Sequence, residues 1–116
     1  MIHAVFEMND KRDTICLRVN GHAGSAQYGH DLVCAAASIL TYTLAQIALI
    51  LYNDRKLRRE PKTKLADGDT VITIRPKREH YDEALYAFYN CEVGFTLLAQ
   101  NYPDFVKVTP FGRKAQ

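Results

Sequence analysis

Hydrophobic and polar residues alternate in two short stretches near the start of the chain. Residues 2–8 and residues 14–19 place apolar side chains at every second position, and a polar stretch separates them. Alternation with a period of two indicates half-buried strands, and a short polar connection between two of them indicates a hairpin. Residues 62–66 and 70–75 predict a second hairpin, with Gly68 in its turn.

Two longer stretches have the spacing of helices. Residues 32–52 contain no charged side chain and are long enough to cross a membrane. A membrane span would leave the rest of a short chain without a core, so we expect a buried central helix from Asp31 to about residue 53. Apolar residues at steps of three and four predict a second helix over residues 79–100. That seam consists of Tyr81, Ala84, Phe88, Cys91, Phe95, Leu98 and Tyr102.

These elements together predict one α+β domain. Pro103 closes the second helix, and residues 105–109 predict a last strand. The order strand, strand, helix, strand, strand, helix, strand predicts a largely antiparallel sheet with two helices packed on it. The chain has 116 residues, enough for one hydrophobic core. We expect a single domain over residues 1–110 and a flexible tail over residues 111–116.

Charge and cysteine usage narrow the classes of protein. A net charge of +2 is too small to indicate nucleic-acid binding by itself. The three cysteines are an odd number without a C-x-x-C pair, which indicates reduced thiols and argues against a disulfide framework or a zinc site. Cys16 falls on the polar side of a strand and Cys91 on the second helical seam, so both are interpreted as structural. With no signal-peptide pattern at the start, we expect a cytoplasmic protein without metal or cofactor.

The candidate chemistry lies in residues 21–38, which read GHAGSAQYGHDLVCAAAS. His22 is in a glycine-rich loop, and Cys34 follows in the first turn of the long helix. With Asp31 as the N-cap, Cys34 is the third helical residue and lies where amide groups lack helical partners. A helix N-terminus favours negative charge by about 0.3–1 kcal/mol, which favours the nucleophilic thiolate. A protonated His22 in contact with the sulfur would favour it further.

Each of these residues also has a simpler explanation. A cysteine in an alanine-rich helix is commonly a small buried hydrophobe. Ser38, one turn beyond Cys34 on the same side, either bonds near the thiolate or returns a bond to the Cys34 carbonyl. Asp31 either orients His22 or only caps the helix. If the site is catalytic, the backbone N–H of Cys34 and one N–H from the Gly21 region are candidates to hold an oxyanion.

Residues 21–38 resemble the signature of the ribosomal-processing cysteine proteases, a family of small bacterial proteins. That pattern has a Gly-His-Ala start, a Gly-x-Asp, and an apolar pair before Cys-Ala-Ala-x-Ser. The matching residues are Gly21, His22, Ala23, Gly29, Asp31, Leu32, Val33, Cys34, Ala35, Ala36 and Ser38. Ala37 stands where the family more often has valine, and Leu32 where isoleucine is common. Gly94 and the pair Tyr102-Pro103 extend the likeness over nearly the whole chain.

The resemblance implies a cysteine endopeptidase with a Cys-His dyad, in which Cys34 is the nucleophile and His22 the base. Its substrate would be the short N-terminal extension of a bacterial large-subunit ribosomal protein. In the family this extension ends in aromatic residues, and its removal is needed for ribosome assembly. The loop residues expected to meet the substrate are Ala23, Gly24, Tyr28 and Gly29. Because glycines keep such a loop mobile, we expect the dyad to assemble when substrate docks.

Two further expectations concern partners. Surplus apolar surface on the two helices indicates a homodimer, and the resemblance agrees. Six basic residues in positions 55–64 are either a solvated helix end or a docking surface for ribosomal RNA or an acidic neighbour. They are Arg55, Lys56, Arg58, Arg59, Lys62 and Lys64. The alternative function is therefore a non-catalytic, ribosome-associated module that binds RNA or protein.

Overall fold

The computed structural model describes residues 1–22 and 30–112, with the backbone alone for residues 30 and 31. The predicted order of strands and helices is confirmed. In chain order the elements are β1 (Ile2–Met8), β2 (Ile15–Asn20), α1 (His30–Asn53), β3 (Lys62–Ala66), β4 (Asp69–Ile74), a 3-10 turn (Arg78–His80), α2 (Tyr81–Asn101) and β5 (Val106–Thr109).

The five strands form one sheet in the order β3-β4-β2-β1-β5. The β1–β2, β2–β4 and β3–β4 pairs are antiparallel, and only the β1–β5 pair is parallel. The predicted α+β architecture with a largely antiparallel sheet is thus confirmed. In the β2–β4 pair Asn20 lies opposite Asp69. This register brings the turn between β3 and β4 beside the backbone that leads to His22.

Both helices cover the same face of the sheet. Burial alternates along the strands, so that Ile2, Ala4 and Phe6 of β1 point into one hydrophobic core with the inner sides of α1 and α2. The two helices approach closely at Gly94, where a Cβ atom would lie 2.5 Å from Cδ2 of Leu40. Glycine at this position therefore sets how closely α1 packs on α2.

The length and composition of α1 would allow it to cross a membrane over Leu32–Asn53. Its inner side is nevertheless buried in the core, through residues such as Val33, Leu44 and Ala48. A core helix in a soluble protein combines these properties. The prediction of a buried helix is confirmed for this inner side only, since 33% of the segment is buried and its outer side is exposed.

The end of the domain lies beyond the predicted boundary. Phe111 is buried, and its ring centroid lies 5.4 Å from that of Phe6. Its N–H donates to the buried carboxylate of Glu92 at 2.7 Å. The expectation that a flexible tail begins at residue 111 is therefore wrong for Phe111, because apolar packing and a buried acceptor hold it on the core.

Candidate active site

His22 and Cys34, the two residues predicted to carry the chemistry, line one cavity. The cavity lies between the first half of α1, the sheet and the turn that joins β3 to β4. Its other walls include Ile2 and Val19 of the sheet, Ser38 and Tyr42 of α1, and residues 66–70. The structure describes both side chains and forms no hydrogen bond between them. The two side chains share a cavity without a hydrogen bond between them.

The backbone before His22 is fixed by a glycine. Gly21 has a φ of +94°, and a Cβ atom there would lie 2.1 Å from the carbonyl oxygen of Met1. Both the left-handed conformation and the close approach require glycine. The N–H of Gly21 donates to the carbonyl of Gly68 at 2.9 Å. This bond ties the chain at His22 to the β3–β4 turn.

The imidazole of His22 lies against that turn. A Cβ atom at Gly68 would stand 2.5 Å from Nε2 and 2.9 Å from Cε1 of the ring. The Nδ1 atom lies 3.9 Å from Oδ1 of Asp67, and both side chains are largely exposed. Sequence reasoning identified this segment only as a hairpin turn and missed its proximity to His22. A prediction that β4 pairs with β2 would have placed this turn beside His22.

Cys34 lies further into the helix than predicted. Since α1 begins at His30, Cys34 is its fifth residue and its N–H falls opposite the carbonyl of His30 in the helical ladder. The prediction of Cys34 as the third helical residue is therefore wrong, whereas the oxyanion role of its N–H stays a prediction. Asp31 is the second residue of the helix instead of its N-cap. The structure describes only the backbone of Asp31, so the role of its carboxylate in orienting His22 stays a prediction.

Ser38 and Cys34 face the same cavity, as their spacing predicted. The role of Ser38 stays a prediction. The neighbouring Thr41 does return a bond along the helix, because its hydroxyl donates to the carbonyl of Ala37 at 2.7 Å. Tyr42, which sequence reasoning did not single out, adds a half-exposed aromatic ring to the wall of the cavity.

The predicted substrate loop lies outside the described residues. Ala23, Gly24, Tyr28 and Gly29 all fall within residues 23–29. Their contact with a substrate stays a prediction.

The other two thiols are buried away from this cavity. Burial raises the pKa of Cys91 to about 12, and its Sγ lies 3.6 Å from the carbonyl oxygen of Leu40. Cys16 accepts a hydrogen bond from the Thr73 hydroxyl at 3.3 Å on the opposite face of the sheet. Cys34 alone of the three is only partly buried. Over residues 1–22 and 30–112, no cluster of three His, Cys, Asp or Glu residues is arranged to hold a metal ion.

Comparison with known proteins gives one family. The chain is 25% identical to the ribosomal processing cysteine protease Prp of Staphylococcus aureus over 108 residues, which cover 93% of this chain and 97% of the relative. The crystal structure of S. aureus Prp with a covalently linked product peptide has a TM-score of 0.69 at 24% identity, covering 96% and 99% of the two chains.

A second solved structure, SMU.848 from Streptococcus mutans, has a TM-score of 0.66 at 28% identity and covers 94% of this chain and 92% of its own. The solved structures and the sequence relative thus each match this chain over more than 90% of its length. The family model of the cysteine protease Prp matches residues 1–107. The chain therefore belongs to the cysteine protease Prp family.

Proposed function

We propose that this protein is a cysteine endopeptidase that removes the N-terminal extension of a bacterial large-subunit ribosomal protein. The observation that carries the proposal is the shared cavity of His22 and Cys34, in a chain that belongs to a cysteine protease family. The S. aureus relative is named for ribosomal processing, and its structures hold a substrate peptide and a covalently linked product peptide.

The chemistry requires a proton path between two side chains. The Cys34 thiolate attacks the scissile carbonyl, and protonated His22 delivers its proton to the leaving amine, which leaves a thioester on the sulfur. Water then attacks the thioester as His22 accepts its proton, the C–S bond breaks to release the carboxylic acid product, and the thiolate and protonated His22 are regenerated. Because the two groups share a cavity without a hydrogen bond, a movement on substrate docking must bring them together.

The walls of the cavity support an aromatic residue at the cleavage site. Ile2, Val19 and the Tyr42 ring line the cavity together with Cys34, and of these three apolar residues Tyr42 is the exposed one. Burying an aromatic side chain on such surface contributes about 25 cal/mol per Å² of apolar area removed from water. This preference is part of the proposal.

The test compares two variants on a peptide that carries an aromatic-ended extension. Cys34→Ser and His22→Ala should each lower kcat/KM by at least about a hundredfold, because each removes a group that acts in the transition state. Cleavage is measured by mass spectrometry, with circular dichroism as the check on folding. Full turnover by either folded variant would contradict the proposal.

The binding-module alternative receives less support from the structure. Two of the six basic side chains already have acidic partners, since Lys56 Nζ lies 2.5 Å from Glu83 Oε2 and Lys64 Nζ lies 2.6 Å from Asp69 Oδ2. These pairs reduce the positive charge available to a phosphate backbone. The cytoplasmic location and the homodimer stay predictions.

A further inference from the structure

We propose that the β3–β4 turn positions the general base of the peptidase, with Asp67 as the positioning residue for the His22 imidazole. The proposal rests on the function proposed above, in which His22 exchanges protons with Cys34 and with the substrate. Asp67 acts through His22 and does not touch the reacting atoms.

Three contacts connect the turn to His22. The carbonyl of Gly68 accepts the N–H of Gly21 at 2.9 Å, which sets the backbone next to the histidine. The ring lies where a side chain at Gly68 would be, with Nε2 only 2.5 Å from the position of a Cβ atom. The Asp67 carboxylate lies 3.9 Å from Nδ1, on the other nitrogen of the ring.

These contacts divide the work between the two ring nitrogens. A carboxylate near Nδ1 favours the tautomer that carries its proton there, and it stabilises the imidazolium formed during catalysis. Nε2 is then the nitrogen left to accept a proton from the thiol. The absence of a side chain at Gly68 lets the ring lie against the turn, with Nε2 and Cε1 in the space that a Cβ atom would fill. The β3–β4 turn therefore provides a negative charge, from Asp67, and room for the His22 ring, at Gly68.

Asp69, the first residue of β4 and the neighbour of the turn, provides a matched comparison. Its carboxylate is occupied by Lys64 at 2.6 Å, whereas Asp67 is the acid paired with His22. Asp67→Ala and Asp69→Ala change the net charge equally. Only the first should change the environment of the imidazole.

The experiment measures the imidazole tautomer and the kinetics separately. In protein labelled with ¹⁵N, the imidazole nitrogen shifts of His22 report which nitrogen carries the proton. Asp67→Ala should shift the balance away from the Nδ1–H tautomer, Asp67→Glu should restore it, and Asp69→Ala should leave it as in the parent. Because the Asp67–His22 pair is exposed to solvent, kcat should fall about two- to fivefold in Asp67→Ala with KM little changed.

The outcomes separate this proposal from the function on which it rests. An unchanged tautomer balance in Asp67→Ala, or a change in KM alone, would overturn the positioning role even if the parent cleaves its peptide. A KM effect would instead mark Asp67 as a substrate contact. Cleavage that survives Cys34→Ser would overturn the peptidase, whatever the tautomer shows.

Discussion

Surroundings alone distinguish the three thiols of this chain. Burial raises the pKa of Cys91 to about 12, because a thiolate in apolar surroundings loses its hydration. Cys16 is equally buried, with only 7% of its surface exposed, and its sulfur accepts a hydrogen bond from the Thr73 hydroxyl. Cys34 opens into the cavity that holds His22. The residue type is the same in all three, so the prediction that Cys34 is the reactive thiol rests on its exposure and its neighbours.

Alkylation of the folded protein tests this distinction. The thiolate is the reactive form, so a thiol with a pKa of about 12 stays protonated and unreactive from pH 7 to pH 9. Iodoacetamide should label Cys34 alone in this range, as measured by peptide mapping in a mass spectrometer. Denaturant should expose all three cysteines to labelling, which is the control. Comparable labelling of Cys16 or Cys91 in the native protein would contradict the assignment.

At the scale of elements, local patterns predicted the strands and helices to within one or two residues. Alternation along β1 and β2 and the apolar seam of α2 are local signals, and each depends on burial of one side of one element. The site was harder to predict because it depends on the pairing of β4 with β2, which joins segments far apart in the sequence. His22 and Cys34 were predicted from their spacing and the family resemblance. Asp67 and Gly68 were missed, since nothing near them in the sequence indicates a histidine.

The turn can be tested through Gly68, which has a φ of +72°. Gly68→Ala combines about 1 kcal/mol of backbone strain with a Cβ atom in the space of the His22 ring. We expect kcat/KM to fall at least about tenfold, because a misplaced base loses most of its contribution. Gly112→Ala is the control, since Gly112 has a φ of +46° but only an ordinary contact, 3.8 Å from Cε of Met8.

Both glycine variants are compared by urea denaturation and by peptide cleavage. They should lose comparable free energy of unfolding, whereas only Gly68→Ala should lose activity. Equal loss of activity in the two variants would show that backbone strain, and not displacement of the ring, is responsible.

At the scale of the whole molecule, exposed apolar surface concentrates on the helices. Their large exposed apolar side chains are Leu32, Ile39, Tyr42, Leu49, Ile50, Tyr52, Tyr86, Val93 and Leu97. The opposite face of the sheet instead carries ion pairs such as Arg18 with Glu7 at 3.1 Å. If the chain forms the homodimer expected from the sequence, the helical side is where a second copy would bury the most apolar area.

Ile39 is the residue through which we test the expected dimer interface. Its side chain is 64% exposed and, with Leu97, lines a groove between α1 and α2. Burial of an isoleucine contributes about 1.5–3 kcal/mol, and a two-fold interface uses the residue twice. Ile39→Lys should weaken the dimer by at least about tenfold in Kd, measured by sedimentation velocity over a range of concentrations.

Leu65→Lys, at a 47% exposed position on β3, is the control and should leave the association unchanged. A parent protein that sediments as a monomer at all concentrations would contradict the homodimer, and equal dissociation of both variants would place the interface away from the helices.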